Sequence, residues 1–196
     1  MTTANKVTIF RILLVPAFVV QLLYYYESGN PRDRVLALVF FAVAAILDGV
    51  DGYIARRYNQ KSHLGTVLDP LADKMLLLSG ICLLSLIKAD WQDRMPVWIP
   101  TWVTAVVLSK DAILLVGMAV VYYTCGRVKI VPRMTGKVAT ALQFLLVVLV
   151  LLQWHEFVWH LSLVTAILTG VSGVQYIRDG VKQLSQSPLS LPDHRL

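Results

Sequence analysis

Charge is scarce in this chain. Its 196 residues hold 18 Lys and Arg and 12 Asp and Glu, so 15% are charged, against about 25% in a soluble domain. No polar stretch is long enough to form a separate soluble domain. With 57% apolar residues and a mean hydropathy of +0.64, the composition excludes an ordinary globular protein and points to a polytopic membrane protein. Cysteine is nearly absent: only Cys82, inside an apolar run, and Cys125, after one. A disulfide framework is therefore not expected. There is no internal repeat, no nucleic-acid-binding module, and no Gly-x-x-x-x-Gly-Lys-Ser/Thr loop for a nucleoside triphosphate. The first apolar run has no small-residue cleavage site and reads as a span, not a signal peptide.

What is abundant is apolar sequence in blocks of span length. A bilayer core of roughly 30 Å needs about 20 apolar residues per helix. Such runs recur at residues 7–26, 35–55, 65–87, 96–123, 134–154 and 157–177. They predict an all-α integral membrane protein, six transmembrane helices in a single bundle domain over residues 1–184. The Ser/Pro-rich residues 185–196 (SQSPLSLPDHRL) read as a disordered cytoplasmic tail.

The basic residues orient the bundle. Lys6, Arg11, Arg56, Arg57, Lys61, Lys74, Arg127, Lys129, Arg133, Lys137, Arg178, Lys182 and Arg195 fall on one side. The other side holds Arg32, Arg34, Lys88 and Arg94. The positive-inside rule then places both termini, and the active site described next, in the cytoplasm. The net charge of +6 is read as topology plus attraction to anionic lipid, with no nucleic-acid partner.

Against this background the stretch LDGVDGYIARRYNQKSHLGTVLDPLADK is anomalous. It places Asp48, Asp51, Asp69 and Asp73 where two helices meet lipid. The turn between those helices is centred near Gln60. Asp51 and Asp69 are equidistant from it, and Asp48 and Asp73 nearly so. The i, i+3 and i, i+4 spacings put each pair on one helix face. Four bare carboxylates at such a depth cost at least ~2.5 kcal/mol each. Pairing with Arg56, Arg57, Lys61 or Lys74, simple protonation, or a proton or ion path would each relieve part of that cost. Carboxylate oxygens at this density suit hard cations better, Mg²⁺ or Mn²⁺, and two such ions cancel four aspartates. Gly49, Gly52 and Ala55 clear one face of the second helix, and Gly65 opens the third. They serve helix packing or the close approach of a ligand to the backbone. Arg56 can offer a bidentate fork to phosphate.

Asp48-x-x-Asp51-Gly52-x-x-Ala55-Arg56, eight intervening residues, then Gly65-x-x-x-Asp69-x-x-x-Asp73 resembles the full signature of the CDP-alcohol phosphatidyltransferases. The resemblance implies transfer of a substituted phosphate from a CDP-linked donor to an alcohol, with release of CMP and dependence on divalent metal. Under it, Asp48, Asp51 and Asp69 bind metal, with Asp73 beside them and also acting as general base. Gly52, Arg56 and Ser62 contact the CDP group. It further implies a homodimer.

NKVTIFRILLVP at the start resembles the first helix of phosphatidylglycerophosphate synthases and of eukaryotic-type cardiolipin synthases, which implies that Asn5 and Thr8 lie near the nucleotide. CDP-diacylglycerol is then the expected donor. Lys110 within the fourth span, Lys137 at the start of the fifth, and Arg133 and Arg178 form a candidate pocket for the phosphate of the acceptor. Lys110 has an alternative partner in Asp111. Glycerol 3-phosphate is the expected acceptor. Phosphatidylglycerol, giving cardiolipin, and a non-catalytic membrane scaffold or ion carrier are the alternatives. His63 reads as a loop residue. His155, Glu156 and His160, with Trp154 and Trp159, read as an interfacial belt.

Overall fold

The computed structural model describes residues 3–57, 63–86, 96–125 and 133–185. Side chains are described for 9–47, 74–86, 96–121, 123–124 and 133–185. These residues form six helices and no strand: α1 (Thr3–Ser28), α2 (Pro31–Arg57), α3 (His63–Leu86), α4 (Thr101–Cys125), α5 (Met134–Leu151) and α6 (His155–Ser185). Among them α1, α4, α5 and α6 carry stretches long and apolar enough to cross a membrane. α2, at 27 residues, is about 40 Å long at 1.5 Å per residue. The all-α membrane architecture expected from hydropathy is the one observed.

Helix ends differ from the apolar runs because hydropathy tracks the lipid core, not the helix. α6 continues past residue 177 through Arg178, Asp179 and Lys182 to Ser185, and α3 already begins at His63. α4 starts at Thr101 and not at Pro96, since a residue preceding proline is disfavoured in the α region and Pro100 follows Ile99. The Ile99 N–H instead donates to the Leu84 carbonyl at 3.1 Å. Residues 186–196, read as a tail, lie outside the described residues.

The helices fall into two compact units. The first holds α1, α2, α3 and Phe144–Val158; the second holds α4, α5 as far as Gln143, and α6 from Trp159.

In the first unit the α1–α2 hairpin is defined by its turn. Gly29 adopts φ 67°, and its N–H donates to the Tyr25 carbonyl at 2.8 Å, the left-handed end of α1. Asn30 caps α2, its Oδ1 accepting from the Arg32 N–H at 3.1 Å, with Pro31 at the first helical position. Asp33 ties the turn back to α1, accepting from Ser28 Oγ and Gln21 Nε2, both at 2.8 Å. So constrained, the two helices meet in a repeating register. The Arg34 guanidinium lies 5.9 Å from the centre of the Tyr25 ring. Seven residues along each helix, Phe18 and Phe41 meet with centroids 5.3 Å apart.

Phe41 also meets Phe144 at 5.6 Å, and both Phe18 and Phe41 are fully buried. α3 joins this layer through Gly80. A Cβ placed there would stand 3.3 Å from Val147 Cγ1 and 3.4 Å from Phe41 Cε2. The turn after α5 closes with a Schellman pair, Trp154 N–H to Leu149 O and Gln153 N–H to Val150 O. It places Gln153 at φ 59°, where its amide donates to Tyr25 Oη at 3.0 Å.

In the second unit α5 and α6 are joined by polar contacts. Gln143 Nε2 donates to Thr169 Oγ1 at 3.0 Å, Thr135 Oγ1 to Gln175 Oε1 at 2.6 Å, and Arg133 to both Asp179 oxygens at 2.7 Å. Between them Gly136 lies beneath Tyr176 and Ser172, the close approach that small residues permit in membrane helices. Polarity is inverted relative to a soluble fold. Ser162, Thr165, Thr169 and Ser172 are buried, while Leu115, Val116 and Ile167 are open, as lipid solvation allows.

Gly80→Val should drive α3 off the Phe41 layer. We expect a destabilisation of about 1–3 kcal/mol, typical of overpacking, read as a lowered midpoint in detergent unfolding. An unchanged midpoint would mean that the layer does not constrain α3.

Candidate active site

Asp48 and Asp51 lie on α2, and Asp69 and Asp73 on α3. Five residues separate these helices, a length typical of an antiparallel helix hairpin. The Phe41–Gly80 contact then gives the register. Seven residues further along α2 is Asp48, and seven back along α3 is Asp73. Each stands about 10.5 Å along the helix from the aromatic layer, at 1.5 Å per residue. Asp51 and Asp69 follow one turn beyond. The backbone of α2 carries Asp48 and Asp51, and that of α3 carries Asp69 and Asp73. The side chains of Asn5, Thr8, Asp48, Gly49, Asp51, Gly52, Ala55, Arg56, Gly65, Asp69 and Asp73 lie outside the described ones, and Ser62 lies outside the described residues altogether.

One residue of this unit was legible in the sequence only as a topological charge. Arg11, on α1, is fully buried. The available signal was its spacing: it follows Asn5 and Thr8 at steps of three, on one side of the helix.

The candidate acceptor cations belong to the second unit, and the structure brings together only some of them. Arg133 and Arg178 line a pocket of about 670 Å³ with Gln175, Asp179 and Lys182. Within it Asp179 occupies the Arg133 fork, and this hydrogen bond holds the guanidinium charged beyond the usual arginine range. Arg178 and Lys182 line the same pocket. Lys182 had been read only as a charge on the cytoplasmic side. Lys137 is exposed on the first turn of α5 and does not line this pocket. Neither does Lys110, which is buried on α4. Its stem packs on Gly173, with Cγ 3.4 Å from a Cβ placed there. Its ammonium stands 3.7 Å from Asp111.

His155, Glu156 and His160 lie at the start of α6 beside exposed Trp154 and Trp159. No group of three or more His, Cys, Asp or Glu among the described residues could hold a metal ion.

Two aspartates on each of α2 and α3 belong to a signature of eight spaced residues. The description "CDP-alcohol phosphatidyltransferase" matches residues 1–172. The chain belongs to this family. A probable phosphatidylglycerophosphate synthase of Mycobacterium tuberculosis is 28% identical over 186 residues, 92% of this chain and 82% of that protein. A CDP-diacylglycerol--glycerol-3-phosphate 3-phosphatidyltransferase of Salmonella typhimurium is 32% identical over 176 residues, 87% of this chain and 90% of that protein. A cardiolipin synthase (CMP-forming) of Streptomyces coelicolor is 36% identical over 116 residues, 59% of this chain and 49% of that protein. CDP-alcohol phosphatidyltransferases are generally dependent on divalent metal, and the donor set fits that requirement. Four carboxylates at i, i+3 and i, i+4 on two facing helices supply the hard oxygens and the negative charge that such ions take.

In the second unit, Asp179→Asn should free Arg133 from its carboxylate partner. We expect the Arg133 Nε–H signal in NMR to lose its hydrogen-bonded shift while the helix content stays unchanged. An unchanged Arg133 signal would mean that the fork is held by another group.

Proposed function

We propose that the chain transfers the phosphatidyl group of CDP-diacylglycerol to glycerol 3-phosphate, giving phosphatidylglycerophosphate and CMP. One observation carries the reading: the complete aspartate signature on α2 and α3, in a chain whose similarity to glycerol-3-phosphate phosphatidyltransferases extends over most of both sequences. The enzyme is a multi-pass membrane protein with its active site and both termini in the cytoplasm, and it works as a homodimer.

Asp48, Asp51, Asp69 and Asp73 hold two divalent ions, Mg²⁺ or Mn²⁺. Such ions, held by these carboxylates, would supply charge neutralisation for the diphosphate and for departing CMP. The chain's own groups do the rest. Asn5, Thr8, Gly49, Gly52, Ala55, Arg56, Ser62 and Gly65 receive the CDP group, the small residues by leaving the helix backbone open to it. Asp73 accepts the proton of the acceptor hydroxyl. That oxygen bonds to the phosphorus bearing diacylglycerol, and the phosphorus–oxygen bond to CMP breaks. The acceptor's own phosphate needs cations outside the aspartate cluster, because the donor already adds negative charge there. Arg178, which shares a pocket with Arg133, and Lys137, which lies outside it, are the cations proposed for this role; Arg133 shares its fork with Asp179, and Lys110, beside Asp111, is the weakest member of the set.

A second reading has a specific observation in its favour. The cardiolipin synthase relative makes phosphatidylglycerol the competing acceptor. CMP release measured over a panel of alcohols separates the two, and glycerol 3-phosphate should be used faster. Release of no CMP with any alcohol would leave a scaffold or ion carrier. Use of inositol or serine in place of both phosphorylated alcohols would overturn the acceptor assignment.

Chelator should abolish turnover, and added Mg²⁺ or Mn²⁺ should restore it. Asp73→Asn should cut the rate by ~10²–10⁴-fold with donor binding largely intact, whereas Asp48→Asn and Asp69→Asn should weaken donor binding as well. Near-normal turnover in Asp73→Asn would remove its role as base.

Lys137→Ala should raise the KM for the acceptor by roughly one to two decades, the worth of one charge-assisted hydrogen bond, with the donor KM nearly unchanged. Equal effects on both KM values would place Lys137 elsewhere than on the acceptor.

A further inference from the structure

Arg11 presents a problem that topology alone does not solve. A cytoplasmic-side arginine on a membrane helix ordinarily extends its long stem toward water. Arg11 does not: it is fully buried, while Ile9, Phe10 and Leu13 around it are open. At this level α1 turns Ile9, Phe10 and Leu13 outward and Arg11 into the first unit. A guanidinium enclosed in protein at that depth requires anionic company.

The register identifies the level at which it stands. Arg34 meets Tyr25, and Phe41 meets Phe18. Each pair is seven residues from the other on both helices. Seven residues are close to two turns, so the step returns to nearly the same face. One further step from Phe18 and Phe41 reaches Arg11 on α1 and Asp48 on α2. The same step from Gly80, which closes the Phe41 layer from α3, reaches Asp73. The layer Phe18–Phe41–Gly80 is followed, two turns on, by the layer Arg11–Asp48–Asp73. Of the four aspartates these two are nearest the aromatic layer, so Arg11 stands at the closed end of the cluster.

We infer that Arg11 is a positioning residue for the metal-binding aspartates. From α1 it holds the Asp48 carboxylate in the orientation that receives a divalent ion, and it lowers the net negative charge of the closed end. The inference rests on the metal role proposed for those aspartates. A carboxylate that binds metal through one oxygen presents the other to a fixed donor. Loss of such an outer partner typically weakens metal affinity by ~10–100-fold. The planar guanidinium suits the task better than an ammonium, because its donors are fixed in a fork.

The test measures Mn²⁺ binding directly, by electron paramagnetic resonance of free Mn²⁺, on the full-length protein in detergent. The proteins compared are wild type, Arg11→Gln, Arg11→Lys and Phe18→Leu. Arg11→Gln should raise the Mn²⁺ Kd by ~10–100-fold and Arg11→Lys by a smaller factor, with the KM for CDP-diacylglycerol at saturating Mn²⁺ little changed. Phe18→Leu loosens the same helix pair without touching charge. It should lower the melting temperature and change the Mn²⁺ Kd far less than Arg11→Gln does. If Arg11→Gln does not fold, a several-fold higher Kd in Arg11→Lys supports the inference and an unchanged one overturns it. An unchanged Kd in a folded Arg11→Gln overturns it too, as does an equal rise in Phe18→Leu. An unchanged Mn²⁺ Kd with a raised donor KM would reassign Arg11 to the donor and overturn the positioning role. Wild type that binds no Mn²⁺ removes the metal reading itself, a different failure from one confined to Arg11.

Discussion

The packing of Phe41 against Phe18, Phe144 and the bare backbone of Gly80 is the contact on which the aspartate region depends. It brings α1, α2, α3 and the end of α5 to one level. Helices that are regular carry that register onward without further contacts. Because each residue advances the helix by 1.5 Å, a layer set among apolar rings determines which polar residues stand opposite one another two turns away. The aspartates need no mutual attraction to be brought together; four like charges would have none. Aromatic packing sets that register without help from electrostatics.

The two units solve the problem of cohesion in lipid differently. Hydrocarbon solvates an exposed leucine as well as a helix neighbour does, so apolar burial alone holds membrane helices together weakly. The first unit uses tilted ring–ring packing, a close glycine approach and a capped turn. The second uses hydrogen bonds along α5 and α6, from the Gln143–Thr169 bond to the Arg133–Asp179 fork. Its exposed α4 surface, with Leu115 and Val116 open, is then the expected lipid-facing side. The buried Lys110 beside Gly173 and Asp111 is the exception on α4. It has a local counter-charge, which is how a lysine is accommodated inside a bundle.

Much of the fold was legible because the bilayer sets a length scale. Six runs of span length gave six helices, and the errors lie at their ends. α6 outlasts its apolar run because its last turns are helical but polar. α4 starts late because Pro100 interrupts the run. The four aspartates stand out in the sequence because their spacing follows the helical period on two helices, α2 and α3, that are close in the chain. The acceptor cations were legible as charges only. A sequence assigns Arg133, Lys137 and Arg178 to one side of the membrane, but whether they share a pocket depends on helix rotation, and the pocket holds Arg133 and Arg178 without Lys137.

The sequence by itself determined the solvent, the number of helices among the described residues, the family and the spacing of the carboxylates. Each follows from local composition and short-range spacing, which helix geometry converts directly into position. Tertiary structure decided what rotation and register control. It directed Arg11 inward instead of toward water, committed the Arg133 fork to Asp179, and set Lys110 against Gly173. Those outcomes turn on which face of one helix meets another. A contact between residues far apart in the chain sets that face, and no local pattern encodes it.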